Sequence, residues 1–310
     1  MLTEDAMAAF AAHQGMATAH MLTVAGVSRS RRQRLVLEGV LEVLYERVFH
    51  IMSSPMNVES QCAALCLAYP SSFITGPTAG RLLGLRRMPA GPIHLSVPHG
   101  SHIGPHDGVR LRQTTRFDSS HVTKHGPGIR IAAPARLAFD LGQDLTMLDH
   151  RSVVEQMVHQ RLTSWPALVK ISKQLCHPAR PGSARFVELL RSRLPGGAAE
   201  SHPEIEVAAG LQSRGVPVHL QVGYLHLPNG KRIRFDMAVP DRRWAVEVDV
   251  HPGHSQPLGI AGDKQRDRWC HRIDWQVERV TEVDLIDMGV ICDELADLYR
   301  ARCVALDGRA

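Results

Sequence analysis

Two adjacent stretches, Ile233 to Val239 and Trp244 to Val250, constrain the C-terminal part of this chain more than any other feature. In the second, Ala245, Val246, Val248 and Val250 are interrupted at alternate positions by Glu247 and Asp249. A strand sends residues two apart to the same face, so the valines point one way and both acids the other. Two acids side by side at the rim of a core repel each other and raise each other's proton affinity unless positive charge lies between them. A divalent cation supplies it. In the first stretch Ile233, Phe235, Met237 and Val239 alternate with Arg234, Asp236 and Ala238, which puts Asp236 on the polar side. With the turn Pro240-Asp241-Arg242-Arg243 joining the two as neighbours, Asp236 and Glu247 converge on one oxygen-lined point suited to Mg²⁺ or Mn²⁺.

The chain of 310 residues has room for two or three modest domains. Hydrophobic content of 44% with 22% charge excludes wholesale disorder. The net charge of +5 and pI near 9.0 suit a polyanionic partner without requiring one. Cys62, Cys66, Cys176, Cys270, Cys292 and Cys303 form no CxxC pair, so reduced, buried thiols are expected. No basic segment followed by an apolar one opens the sequence, and no apolar run is long enough to span a bilayer. The expected location is the cytoplasm, with no membrane contact.

From the N-terminus, Glu4 to His13 reads as a helix capped by Thr3, and Ala17 to Ala25 as a second. Gly26 supplies a turn, Ser28 caps the next helix, and Arg29, Arg31, Arg32 and Arg34 crowd its first turns. Helix, short helix, glycine turn and basic helix is the order of a helix-turn-helix, and the β-forming run Val40 to Ile51 suits a wing. Ser28, Arg29, Arg31, Arg32 and Arg34 are therefore the expected contacts to double-stranded DNA. The competing account is a three-helix bundle with a solvated basic face.

Farther on, helices are expected at Cys62 to Tyr69 and Thr78 to Leu85, strands at Ile93 to Val97 and Val109 to Gln113, and a helical tail from Pro134 to Leu194. His99, His102 and His106 fall between the two strands, as at an exposed hairpin tip. Pro195-Gly196-Gly197 reads as a linker. Beyond it, a helix capped at Ser201 or His202 turns Glu204 inward, in line with Val207, Ala208 and Leu211. Strands follow, then a helix over Ala261 to Arg272 whose inward stripe is led by Arg266, a final strand from Gln276 and a closing helix from about Leu285. A guanidinium beside such acids is suited to a phosphate oxygen.

The segments Ala25 to Arg31, Gly39-Val40-Leu41, Gly76 to Ala79, Ile93 to Pro98 and Pro134 to Asp140 resemble the AbiEi type of antitoxin from type IV toxin-antitoxin systems. In the C-terminal part, Asp236, Glu247-Val248-Asp249, His254, Arg266-Asp267, Trp275 and Arg279 resemble the Vsr-like group of the PD-(D/E)XK, restriction-endonuclease-like fold. The general motif's lysine is Asp249 here, and the Vsr-like glycine after it is Val250. That resemblance implies Mg²⁺ on Asp236, Glu247 and the Val248 carbonyl, with Glu204 supporting the metal, Arg266 holding the phosphate and His254 moving the proton. His251 is the second candidate for the proton.

The expected fold is an α+β N-terminal winged helix and middle domain followed by an α/β restriction-endonuclease-like domain with a central mixed sheet. The expected boundaries are 1–54, 55–197 and 198–310. The expected function is a Mg²⁺-dependent DNA endonuclease. The alternative is a non-catalytic DNA-binding regulator of the AbiEi antitoxin type, with a toxin as partner. RNA as substrate and the oligomeric state stay open.

Overall fold

The computed structural model describes all residues except 1, 46, 105, 193–198, 227–229, 231, 250–265, 267, 309 and 310. Helices pack on three sheets, one antiparallel and two mixed, giving a mixed α/β architecture. The chain divides into two compact units, Met1–Leu145 with Trp165–Phe186, and Thr146–Ser164 with Val187–Ala310. This division differs from boundaries drawn at 54 and 197, because the segment around Met147–His159 groups with the C-terminal residues.

The first unit opens with α1 (Glu4–Ala11), capped by Thr3, whose hydroxyl accepts from the Ala6 amide. The chain then enters β1 (Met16–Thr18), where a continuous helix from Ala17 is expected from the sequence. Met16, Ala17 and Thr18 pair antiparallel with His50, Phe49 and Val48, a partnership more than thirty residues away that local periodicity does not register. Thr18 ends the strand and caps α2 (Ala19–Val24) by accepting from the Met21 amide. Gly26, at φ +81°, makes the left-handed turn that a side chain would strain. Ser28 caps α3 (Arg29–Leu37) through the Arg31 amide. The hairpin β2 (Leu41–Tyr45) and β3 (Val48–Ile51) completes a sheet of order β1-β3-β2. Phe10, Leu22, Val27, Leu35, Leu41 and Ile51 form the core between these elements.

The rest of the unit carries α4 (Val58–Ala68), β4 (Phe73–Ile74), α5 (Gly76–Leu82), β5 (Ile93–Pro98), β6 (Val109–Thr114), β7 (Val122–His125), β8 (Ile129–Ala132) and α6 (Pro134–Leu141). After α7 (Met147–His159), which belongs to the second unit, α8 (Trp165–Leu175) returns to the first. The sheet order is β6-β5-β4-β8-β7. Cys62 and Cys66 are buried on α4, as expected of core thiols.

One expectation is overturned here: β5 and β6 pair in parallel, from Ile93↔Val109 to Pro98↔Thr114. The histidine-bearing segment is therefore a crossover and not a hairpin tip. It also folds back on the protein. The His106 ring lies 5.1 Å from that of Tyr45, and its Nε2 is hydrogen-bonded to the Tyr69 hydroxyl.

The second unit is built on a sheet of order β12-β11-β10-β9, comprising β9 (His219–His226), β10 (Arg232–Val239), β11 (Trp244–Asp249) and β12 (Gln276–Thr281). β11 pairs parallel with β12, and the other pairings are antiparallel. The boundary between units falls within α9 (Ser183–Arg191). α10 (His202–Ser213) and α11 (Met288–Asp307) cover one face, where Val207, Leu211, Ile291 and Leu295 meet Met237, Trp244, Val246 and Val248. Helical residues 268–272 cover the other, where Trp269 and Cys270 meet Ile233, Phe235, Ala238 and Ala245. Among the described residues no helix is long and apolar enough to cross a membrane.

Candidate functional site

The sheet of the second unit is sealed on both faces, so any carboxylate rising from its middle is drawn into low dielectric. On β11 the expected alternation holds. Trp244, Val246 and Val248 enter the core under α10 and α11, while Ala245 enters the opposite one. Glu247, on the Ala245 side, is only 4% exposed, and Asp249 is half-buried.

On β10 the alternation breaks. Ile233 and Phe235 pack on one face whereas Met237 and Val239 pack on the other, so the strand changes face at Asp236 and a single apolar side does not run its length. Its ladder with β11 covers Met237↔Val246, Ala238↔Ala245 and Val239↔Trp244, and goes no farther. At the opening, Asp236 Oδ2 accepts from the Val248 amide at 2.9 Å, so a side-chain carboxylate takes the place of a strand carbonyl. This bond fixes Asp236 beside Glu247, close enough for the two charges to act on each other.

Glu204 joins them from the first turn of α10. Ser201 caps that helix by accepting from the Glu204 amide, and Pro203 occupies its first turn. Glu204 is 5% exposed, and its Oε2 accepts from the Glu200 amide at 3.0 Å and from Gln221 Nε2 at 2.8 Å. Gln221 stands on β9 at φ +46°, just before the point between Val222 and Leu225 where the pairing with β10 slips by one residue. Its buried Oε1 meets no donor among the described residues.

Two guanidiniums face the acids. Arg266 Nη2 donates to Glu247 Oε1 and, at 3.2 Å, to the Arg234 carbonyl. Arg279, opposite Glu247 in the parallel register of β11 and β12, donates through Nη1 to Asp249 Oδ2 at 2.7 Å. Its Nη2 lies 3.7 Å from Glu247 Oε2. Arg234 turns instead to Glu200.

All three acids, Glu204, Asp236 and Glu247, hold protons more tightly than usual. Burial drives Glu247 up to about 7, against the pull of Arg266 and Arg279 and with the push of Asp236 and Asp249. Burial also raises Asp236, opposed by the Val248 amide, and raises Glu204, reinforced by the Asp236 charge.

The donor set tests whether a divalent cation suits the place. Carboxylate, amide and carbonyl oxygens are what Mg²⁺ takes, and a positive ion would relieve the raised proton affinities of Asp236 and Glu247. Arg266 already neutralises part of Glu247, so an ion ligated by Oε1 must displace that guanidinium. Among the described residues no group of three His, Cys, Asp or Glu side chains is gathered as a ready metal cage. The fit is thus to an oxygen site of two carboxylates, completed by backbone, amide or water.

Of the expected site residues, Glu204, Asp236, Glu247, Val248, Asp249 and Arg266 come together in one patch. His254, its rival His251, Val250 and Asp267 lie outside the described residues. Sequence reasoning missed Gln221, whose part in the site rests on a hydrogen bond to Glu204 on another element. It gave Arg279 no role, because Arg279 reaches the site only through the β11–β12 register.

On α3 the expected contacts separate. Arg29 and Arg34 are exposed together with Ser30, Gln33 and Leu37, forming one outward face. Arg31 is half-buried at its edge. Arg32 corrects the expectation: it is 9% exposed, and its Nη1 donates to the Val27 carbonyl at 2.6 Å and to Thr23 Oγ1 at 2.9 Å. It ties α3 to the end of α2 and is not a free cation. The Ser28 hydroxyl is occupied as the helix cap. Gln33, absent from the arginine pattern, belongs to the outward face because of its position on the helix.

No protein-family model matches the sequence, and no curated protein does. Among solved structures, the chain is similar to the crystal structure of RV2827C protein from Mycobacterium tuberculosis, over 62% of this chain and 82% of that one, with 16% identity and a TM-score of 0.41.

Proposed function

We propose that this protein is a Mg²⁺-dependent DNA endonuclease that binds duplex DNA through an N-terminal winged helix. The observation that carries the reading is the gathering of buried Glu204 and Glu247 with half-buried Asp236, held against the electrostatic cost where β10 parts from β11 beneath the first turn of α10. A fold does not hold such a group without compensation. The order α10, β9, β10, β11, helical 268–272 and β12, with acids on the first helix and on β10 and β11, supports a restriction-endonuclease-like domain. Support for a winged helix comes from the order α1, β1, α2, α3, β2, β3 with its three-stranded sheet, and from the arginines on the outward face of α3.

In this reading Asp236, Glu247 and the Val248 carbonyl hold Mg²⁺ or Mn²⁺, which supplies Lewis-acid polarisation of water and phosphate. Arg266 exchanges Glu247 for a phosphate oxygen and orients it through a planar fork. Arg279 pairs with Asp249 at the edge of the site. Glu204 and Gln221 fix the far wall by their mutual hydrogen bond. His254 is the proposed proton carrier.

The Arg266–Glu247 ion pair favours a second reading, because a guanidinium that neutralises the buried acid removes the need for a metal. The protein is then a DNA-binding regulator of the antitoxin type, with a toxin bound elsewhere on the chain. Incubation of duplex DNA with the full chain and Mg²⁺ or Mn²⁺ separates the two. The endonuclease reading predicts cleavage, reduced at least about 100-fold in Asp236→Asn and Glu247→Gln with DNA binding retained. Binding without cleavage of DNA, or of RNA as a parallel substrate, supports the regulator.

A further inference from the structure

The first unit contains a cavity of about 430 Å³ between the face of its five-stranded sheet, α6 and the segment joining α8 to α9. Its size lies within the ~300–1,000 Å³ of small-molecule sites. Three arginines line it, Arg112, Arg136 and Arg180, with Asp140 as the sole lining acid among the described residues. The remaining wall is rich in hydroxyls, including Ser96, Thr114 and Thr115.

The charges around this cavity do not balance. Arg136 is 5% exposed, and its Nε donates to Asp140 Oδ1 at 2.9 Å, while Thr75 Oγ1 donates to the other oxygen at 2.6 Å. Arg112 is taken by Asp144. Neither Arg180 nor the neighbouring Arg116 forms an ion pair among the described residues. Arg180 donates through Nη2 to Thr115 Oγ1 at 3.3 Å, and Arg136 Nη1 donates to the Arg116 carbonyl at 3.1 Å. Burial, and then the like charges of Arg136 and Arg116, lower the proton affinity of the Arg180 guanidinium below its usual value. Arg180 thus stands in a hydroxyl-lined cavity without an ion-pair partner among the described residues, and the exposed, equally unpaired Arg116 adds its charge from just outside the lining. A phosphate monoester carries about −1.5 to −2 charges at pH 7, with three acceptor oxygens, and matches that surplus where a single carboxylate leaves part of it unmet.

We propose that this cavity binds a phosphate monoester of about mononucleotide size, with Arg180 and Thr115 on the phosphate and Arg136 holding the wall. The site lies wholly within the first unit, so it stands whether or not the second unit cleaves DNA.

The test is calorimetric titration of the full chain at constant ionic strength, with AMP and inorganic phosphate as probes and adenosine as the uncharged control. AMP is expected to bind and adenosine not to. Affinity should fall between pH 7.5 and 5.5, as the monoester takes up its second proton. Arg180→Ala should weaken binding at least tenfold and Thr115→Val several-fold, the second serving if the first variant fails to fold. Tighter binding of AMP than of phosphate supports a nucleotide ligand, and equal binding supports recognition of the phosphate group alone. Failure of both probes to bind wild type, or wild-type affinity in the folded variants, overturns the proposal.

Discussion

Glu247 concentrates the chemistry of this protein in one titrating group. Its proton affinity is raised to about 7 from a usual value near 4.5, chiefly by burial. A carboxyl raised in the folded state contributes stability that is fully present below pH 4.5 and is lost as pH rises through 7. Glu247→Gln removes this term. Relative to wild type, the variant should therefore gain stability as pH rises from 4.5 to 7 and level off above, by up to ~3 kcal/mol. Urea unfolding at several pH values checks the slope, and a pH-independent difference would show that folding leaves the proton affinity of Glu247 unchanged. At the other end of the chain, Arg32 and Arg34 are neighbours with opposite assignments. Arg32→Ala leaves the Val27 carbonyl short of its donor and should cost about 1–3 kcal/mol in denaturant unfolding. Arg34→Ala should leave stability unchanged, weaken DNA binding and lower its salt slope by about 0.9 in a fluorescence titration.

At the scale of elements, the approach of α10 to α11 governs how Glu204 is presented. Gly210 makes that approach possible, since a Cβ there would lie 2.4 Å from Cys292 Sγ and 3.2 Å from Cys292 Cβ. Gly210→Ala gains about 1 kcal/mol of helix propensity but forces the helices apart at about 1–3 kcal/mol. The net effect should be a lowered melting temperature, partly recovered in the double variant with Cys292→Ala, which removes the closer atom.

The same elements show why some of the site was readable in the sequence and some was not. α10, β10, β11, the inward aim of Glu204 and the placing of Glu247 on the face opposite the valines follow from period and capping, because each is decided within a few residues; the burial of Glu247 depends on the helix that covers that face. The face change at Asp236 is decided by the Val248 amide twelve positions away, and the role of Gln221 by its hydrogen bond to Glu204 seventeen positions back. Likewise, β1, β4, β7 and β8 are two to four residues long and exist only through their partners. The parallel pairing of β5 with β6 left no local trace, so alternation alone suggested a hairpin.

For the whole molecule, the proposed function joins α3, as the helix that would contact DNA, to an acid-lined gap in the same chain. The two make different demands on solution conditions. Binding by exposed arginines should fall steeply with salt, as counterion release requires, while a cation held by buried carboxylates should be far less sensitive. Protons and metal compete for Glu247, so metal affinity should fall as pH drops below about 7. The most direct test of the central claim is calorimetric titration of the full chain with Mg²⁺ and Mn²⁺ at pH 8, in wild type, Asp236→Asn and Glu247→Gln. The account predicts saturable binding of one ion in wild type and its loss in both variants. Absence of binding in wild type with DNA present, or binding that survives both substitutions, would contradict it.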